Sequence, residues 1–394
     1  MATSAGWHAF LAAPLVLAAC HATESVPVPP PIEAPLVAVS AGVLHSCGVT
    51  VTNRAYCWGW NRDGEIGDGT KTDRPYPVRV LGNAAFTEVR PGGGHTCALA
   101  AGGAPQCWGY NLSGQLGDNS NTTRVIPVAV AGALVLRAVE AGGAYTCAAA
   151  ADSTAYCWGW NGAGQLGDGT RTDRNGPVAV AGGHKLVAIS AGTQHSCALA
   201  ADSTAYCWGR NDVGQLGDST QSDTTLPVAV RGGLKFVAVT VGFLHSCGLA
   251  PGGAAYCWGD NSWAQLGNSL QSFAVSPTPV DGGFTFRSLS AGASHTCGVE
   301  PGGTARCWGL DVNGQLGSAA TNLCVNASGS GPCTPLPAAV AGGLAFDSIS
   351  AGTQHTCGLT RGRVAYCWGL NSNGQLGDGT RNSTGAPVRV ALQP

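Results

Sequence analysis

Histidine and cysteine recur close together along this 394-residue sequence; both residue types bind metal ions, and cysteine also forms disulfides. The triplet Cys-Trp-Gly occurs seven times, at five intervals of 50 residues and a final interval of 60. Another cysteine comes ten residues before each triplet. Two residues before that cysteine lies a histidine column, made of His45, His95, His195, His245, His295 and His355, with Tyr145 in the third copy. One histidine per copy does not complete a metal site. We therefore interpret these histidines as framework residues that hydrogen-bond backbone within their own copy, and we expect no bound metal.

The two cysteines of each copy take opposed positions in a predicted hairpin. With a three-residue tip at 51–53, residues pair when their numbers sum to 104, so Cys47 faces Cys57. A total of 17 cysteines also indicates an oxidising compartment. We expect the disulfides Cys47–Cys57, Cys97–Cys107, Cys147–Cys157, Cys197–Cys207, Cys247–Cys257, Cys297–Cys307 and Cys357–Cys367, with Cys324–Cys333 in the insertion of the sixth copy. Cys20 is then left unpaired.

The sequence from residue 36 onward is a tandem repeat. Each copy combines short apolar runs with Gly, Pro, Asn and Asp turn residues, which predicts four strands, at about 37–41, 45–50, 54–59 and 77–80 in the first copy. A proline, Pro77 in the first copy, is expected to open the fourth strand. Seven units predict an all-β seven-bladed β-propeller of repeats of about 50 residues, over 36–394. Because each fourth strand leads straight into the next copy, we expect strand 387–390 to complete the first blade.

The pattern Ala-Gly-x-x-His-[Ser/Thr]-Cys-x9-Cys-Trp-Gly-x-Asn-x-x-Gly-Gln-Leu-Gly resembles the repeat of the regulator of chromosome condensation family, over residues 36–394. The resemblance implies a circular seven-bladed propeller. The eukaryotic founder of that family is a guanine-nucleotide exchange factor that also binds chromatin, and a secreted bacterial relative is a protein inhibitor of β-lactamase. This sequence has no basic tail and a single long loop, at 318–336. The secreted type therefore fits better, and an exchange-factor-like regulator is kept as an alternative.

The first 35 residues have the features of an export signal and a tether. An apolar stretch ends in Leu17-Ala18-Ala19-Cys20, which resembles a bacterial lipoprotein signal with Cys20 as the lipidated residue. Residues 1–19 contain no Lys or Arg, which departs from the usual basic start. We expect a signal at 1–20, a proline-rich tether at 21–35, and a lipid-anchored propeller outside the cytoplasm in a bacterial envelope. The membrane would be contacted only through this anchor.

Composition and motifs argue against nucleic acid and against catalysis. The net charge is −2 and charged residues make up 11% of the chain, which gives no electrostatic support for binding phosphates. The sequence contains no Gly-x-Ser-x-Gly, His-Glu-x-x-His or phosphate-binding Gly-Lys-Thr motif. Its Gly-Asp-Gly loops lack the alternating acidic ligands of a calcium site. We expect a non-enzyme without a cofactor, and we keep open a polysaccharide hydrolase or lyase with carboxylates in the propeller funnel.

Binding is expected where the copies differ from one another. Positions that agree in all seven copies serve sheet packing, whereas the two residues before each histidine and the residue after each Cys-Trp-Gly vary. Large aromatic residues at such positions are typical of contact surfaces. The predicted binding rim consists of Trp60, Tyr110 and Trp160, extended by Phe243 and Trp263. We expect a monomer that binds an unidentified protein or glycan through this rim.

Overall fold

Short strands separated by glycine-rich turns pair here into seven antiparallel sheets, one for each repeat. The computed structural model describes residues 28–269, 272–326 and 329–394. The predicted signal, Cys20 and the first part of the predicted tether lie outside the described residues. Within the described chain, no helix is long and apolar enough to cross a membrane.

Each sheet is a blade, numbered one to seven in chain order, and its first strand lies at the centre of the ring. The first strands are β1 (Leu36–Ala41), β5 (Phe86–Pro91), β9 (Leu136–Ala141), β13 (Leu186–Ala191), β17 (Ala238–Val241), β21 (Ser288–Ala291) and β26 (Phe346–Ala351). The second strands are β2 (His45–Thr50), β6 (His95–Ala100), β10 (Tyr145–Ala150), β14 (His195–Ala200), β18 (His245–Leu249), β22 (His295–Val299) and β27 (His355–Thr360). The third strands are β3 (Ala55–Gly59), β7 (Pro105–Gly109), β11 (Ala155–Gly159), β15 (Ala205–Gly209), β19 (Ala255–Asp260), β23 (Ala305–Leu310) and β28 (Ala365–Gly369). The outer strands are β4 (Arg74–Arg79), β8 (Arg124–Ala129), β12 (Arg174–Ala179), β16 (Thr224–Ala229), β20 (Phe273–Pro279), β25 (Gly329–Ala339) and β29 (Thr384–Arg389), with the additional strand β24 (Asn322–Asn326) in blade six.

The fourth strand and the ring closure differ from the sequence-based expectations. The outer strand of blade one begins at Arg74, before Pro77, which was expected to open it. It starts earlier because a bulge between Cys57 and Gly59 shifts the register and lets Gly59 pair with Arg74. Proline is tolerated there because the strand lies at an edge. The predicted completion of blade one by strand 387–390 is wrong. The sheet β1-β2-β3-β4 comes entirely from the first repeat and β26-β27-β28-β29 from the last, because the link after each outer strand is long enough to return to the centre.

The central hairpin of each blade has the predicted register. Cys47 lies opposite Cys57 and Gly48 opposite Tyr56. All eight predicted cysteine pairs are disulfides, seven of them across the hairpins and one between Cys324 and Cys333. The hairpin cysteines are fully buried in the cores between blades.

Neighbouring blades are joined through the tryptophan column. Trp108 is fully buried, and its Nε1 donates to the backbone oxygen of Glu65 in the preceding blade at 2.8 Å. Gly67 has a φ of 74° and lies against the same indole, so an added β-carbon would come within 2.7 Å of Nε1. The Gly-Gln-Leu-Gly motif is therefore the surface on which the next tryptophan packs. The prediction that positions identical in all seven copies serve packing is confirmed for this tryptophan.

Blades seven and one join in the same way as every other pair. Trp58 Nε1 donates to the Gln375 carbonyl at 3.0 Å. The backbone N–H of Ile32 donates to the carbonyl of Leu392 at 2.8 Å, and Ile32 is buried in the shared core with Val390. The ring thus closes by side-to-side packing of complete blades, and the chain joins this core by residue 32.

The histidine column connects blades, which corrects the interpretation that each histidine bonds within its own copy. His45 Nε2 lies 2.8 Å from the hydroxyl oxygen of Thr96 in the next blade. That hydroxyl donates its single proton to the Glu65 carbonyl at 2.8 Å, so His45 must carry its proton on Nε2 and donate. The sequence could not show this, because the partner lies 51 residues away.

Candidate binding face

The predicted rim residues lie at one end of the ring. This end, called the loop face, carries the turns between first and second strands, such as 42–44, and the long loops between third and outer strands, such as 60–73. Trp60, Tyr110 and Trp160 each follow directly after a third strand. Phe243 lies in a short turn and Trp263 in a long loop. The fold therefore brings all five residues to the same face.

The backbone that presents these side chains repeats from blade to blade. The N–H of Trp60 donates to the Leu44 carbonyl at 3.0 Å. The equivalent bond is 2.7 Å long at Tyr110 and 2.9 Å at Trp160. The same bond forms where the residue is Arg210. The backbone at this position is therefore the same from blade to blade, while the side chain differs. No packing contact shared by these blades dictates which residue stands there.

The long loops are held by buried polar side chains. Asn61 is fully buried; its amide nitrogen donates to the Thr72 carbonyl at 3.0 Å, and its amide oxygen accepts from the Ile66 N–H at 2.9 Å. Asp68 accepts from the Thr70 hydroxyl at 2.7 Å and forms an ion pair with Arg74. The Gly-Asp-Gly carboxylate is thus engaged in shaping the loop. Among the described residues, no group of three or more His, Cys, Asp or Glu is placed to hold a metal ion.

The three consecutive aromatic residues are partly exposed. The Arg62 guanidinium lies 5.2 Å from the centre of the Trp60 ring, a cation–π contact. The Trp160 ring lies on the backbone of Gly162, where an added β-carbon would come within 2.6 Å of it. The Trp60 and Trp160 rings are thus each contacted by their own loop, and all three side chains keep one part accessible to solvent.

Phe243 and Trp263 have different surroundings. Phe243 is 43% exposed and lies at the mouth of the central channel. Trp263 lies against the insertion of blade six, with its ring atom Cζ3 3.3 Å from the β-carbon position of Gly331. Trp263 therefore supports the insertion hairpin in addition to lying on the loop face.

Sequence analysis missed Leu112, which is 63% exposed on the loop face two residues after Tyr110. The equivalent position is Arg62 in blade one and Val312 in blade six, so it diverges as strongly as the positions that were chosen. The comparison of copies could have identified it, had it been extended two residues further.

The central channel is lined mainly by small residues. At the loop face it is encircled by a ring of glycines, and a β-carbon on Gly92 would lie 2.6 Å from the Gly142 carbonyl oxygen. Below this ring lies a cavity of about 490 Å³. Its charged lining comprises Arg90 and Glu140, 3.3 Å apart, and Glu88 also pairs with Arg90. Two carboxylates held by one guanidinium differ from the convergent acids expected of a polysaccharide-cleaving funnel.

A closed ring of seven blades, six with four strands and blade six with five, defines a repeat-built β-propeller with variable side chains on one face. The sequence profile of the Regulator of chromosome condensation (RCC1) repeat matches residues 53–99, 152–199, 202–249, 252–299 and 362–394, and a second profile of this repeat matches 36–65, 186–215, 286–315 and 346–375. The chain belongs to this family. The predictions of the family, of the propeller fold and of a non-enzyme are confirmed.

Solved structures share the fold at low sequence identity. Yeast RCC1 (Prp20), in its crystal structure with Kap60, is 21% identical with a TM-score of 0.76, covering 91% of this chain and 84% of that chain. Human WBSCR16 is 18% identical with a TM-score of 0.73, covering 84% and 89%. The ectodomain of the Physcomitrella patens receptor kinase CR4 is 23% identical with a TM-score of 0.55, covering 85% and 74%. The similarity to these three structures shows the fold of this chain.

Proposed function

We propose that this chain is an exported binding protein that holds a protein partner on its loop face. The supporting observation is the fixed backbone that presents a different side chain in each blade, with partly exposed Trp60, Tyr110 and Trp160 on three consecutive blades. Aromatic side chains on a rigid support are the residues that contribute most to binding energy at protein interfaces. A glycan stacking on the same rings is the alternative ligand.

Propellers of this fold offer precedents for a protein ligand. Yeast Prp20 has been crystallised bound to Kap60, and a second Prp20 study reports its binding to Gsp1p and histones. These ligands are proteins, which favours a protein over a glycan here. The net charge of −2 gives no electrostatic support for a nucleic acid as the ligand of this chain, nor for a basic tail of the kind found in histones.

The cysteines support the proposed location. Eight disulfides are consistent with a place outside the cytoplasm, where such bonds persist. We propose further that the protein is a monomer anchored by a lipid at Cys20. Replacing Cys20 by Ser should release it from the membrane fraction, and an unchanged distribution would contradict the anchor.

The rim is tested with a partner isolated from the envelope of the source organism by the propeller domain. The triple change of Trp60, Tyr110 and Trp160 to Ala should weaken binding of that partner more than tenfold, about 1.4 kcal/mol. The control changes Ile126 and Leu226 to Ala, since both are apolar and exposed but lie on outer strands. Binding by the triple variant equal to that of the control would overturn the proposal, as would loss of its fold in circular dichroism.

A further inference from the structure

The outer edges of six blades carry proline. The strands β4, β8, β12, β16, β20 and β29 each contain at least one proline, and β4, β8, β12 and β29 also contain arginine. Proline offers no N–H, and charge at an edge opposes pairing with another chain, so both protect an edge strand from β-sheet extension.

Blade six has an edge without this protection. Its outermost strand β24 has the sequence Asn-Leu-Cys-Val-Asn and pairs with β25 alone. The sequence from 312 to 346 contains no Asp, Glu, Lys or Arg. The insertion therefore places an uncharged, proline-free strand outside the proline-bearing strand β25 on the loop face.

The hydrogen-bonding groups of β24 point outward at two residues. The Pro332 carbonyl accepts from the Asp311 N–H at 2.8 Å, so its backbone faces away from β24. Leu323 lies opposite Pro332 and Val325 opposite Ser330. Two residues that lie opposite each other in an antiparallel ladder either both direct their N–H and C=O groups toward the partner strand or both direct them away from it. Leu323 and Val325 thus direct their backbone groups to the free edge.

The side chains at these residues are unusually open. Leu323 is 67% exposed and Val325 74%, the highest values among the large hydrophobic residues of the described chain. They lie two residues apart and therefore share one face of the strand. Exposed apolar side chains beside free backbone groups are the two requirements for adding a strand.

The hairpin is held rigid, which lowers the entropy cost of binding. The Cys324–Cys333 disulfide joins its two strands. The Asn326 side chain donates to the Ser262 carbonyl of blade five at 2.9 Å. Trp263 supports the hairpin from the same loop. The edge is therefore presented in a fixed position.

We propose that β24 binds an extended, uncharged segment of a protein partner as an added β-strand, with alternate apolar side chains of that segment packed on Leu323 and Val325. This site lies beyond the proposed function, because it uses none of Trp60, Tyr110 and Trp160.

The probe is a fluorescent seven-residue peptide of alternating Thr and Val, blocked at both ends. It should bind the wild-type protein with a submillimolar Kd in fluorescence anisotropy. Changing Leu323 and Val325 to Lys should weaken binding at least tenfold, whereas the matched control, Ile126 and Leu226 to Lys on proline-bearing strands, should bind like wild type. All four side chains are exposed, so the fold should persist, which a melting curve checks.

Two further measurements separate backbone pairing from general stickiness and from the aromatic rim. A fully N-methylated peptide lacks backbone N–H donors and should not bind. The Trp60, Tyr110 and Trp160 to Ala variant should bind the original peptide normally. Absence of peptide binding to the wild type, equal binding by the Lys variant, or equal binding of the methylated peptide would each overturn the edge-strand site and leave the rim proposal untouched.

Discussion

Glu65 stands where every other copy has glutamine, and it shows what the position requires. Its carboxyl is buried and accepts the Asp63 N–H at 2.9 Å, as the Gln115 amide oxygen accepts the Ser113 N–H at 3.1 Å. Burial raises the pKa of Glu65 to about 7. The position therefore needs a neutral acceptor, and Glu65 supplies one only while protonated.

We predict opposite effects for Glu65→Gln and Gln115→Glu. The pKa of Glu65 is about 7 in the folded protein, above its ordinary value of 4.5, so its contribution to the free energy of unfolding is lost as pH rises from 4.5 to 7. At pH 8 Glu65→Gln should raise the free energy of unfolding by up to about 3 kcal/mol, and Gln115→Glu should lower it similarly. At pH 4 both differences should shrink toward zero. Urea denaturation at the two pH values checks this, and a pH-independent difference would contradict it.

The residues that pack the framework were predictable and those of the channel were not. Trp108 and its equivalents agree in all copies, which marks a shared packing duty, and they are buried. Arg90 and Glu140 occur in single copies, 50 residues apart, and only the ring brings them together. The Trp263 contact with the insertion depends likewise on the neighbouring blade. Repetition therefore identifies core positions, whereas single substitutions acquire meaning only in three dimensions.

At the scale of the element, the hairpin is the unit that each repeat stabilises covalently. Cys47 and Cys57 are buried between blades, whereas the Cys324–Cys333 disulfide joins the edge strand β24 to β25 at the outside of blade six. The hairpin register was predictable because a tip length fixes it. The start of the outer strand was not, because the bulge at Gly59 adds pairing that no alternation pattern reveals.

Removing the two kinds of disulfide should have different effects. Changing Cys47 and Cys57 to Ala should lower the free energy of unfolding by about 2–5 kcal/mol, because it removes a buried covalent cross-link. Changing Cys324 and Cys333 to Ala should lower it less, because this disulfide holds the edge strand β24, which packs in none of the cores between blades, although Cys333 is itself buried. Guanidinium denaturation of both variants measures this. A larger loss from the outer pair would show that the insertion is part of the folding core.

At the scale of the whole molecule, the histidine column joins the blades into a ring. Each of its six imidazoles bonds through Nε2 to a Ser or Thr of the following blade, and the Nδ1 atoms have no hydrogen-bond partner within the described chain. Burial lowers the pKa of His45 to about 3, with further lowering by the charges of His95 and His355. The ring is therefore built from neutral imidazoles.

Acid should unfold the protein steeply. Each column histidine has a folded pKa of about 3 to 4 against 6.5 unfolded, so its contribution is intact above 6.5 and is lost as pH falls toward the folded pKa. For each histidine, the free energy of unfolding falls by up to about 1.4 kcal/mol per pH unit in this range. His355→Gln should reduce the slope, because the glutamine amide can replace the Nε2 donor but does not titrate. A flat stability between pH 7 and 5 would refute this dependence.

The hydrogen bond of 2.8 Å from the Ile32 N–H to the Leu392 carbonyl brings these two segments together, so the ring could be opened at another blade without changing its geometry. Every blade is complete in itself and every junction uses the same tryptophan contact, so the order of translation and the order around the circle are independent. We expect a circular permutant, opened between Gly232 and Gly233 and joined by a short linker from residue 394 to residue 32, to melt within a few degrees of the original protein. Both glycines have open space around their β-carbon positions. Such a protein would have the same geometry with a different first blade.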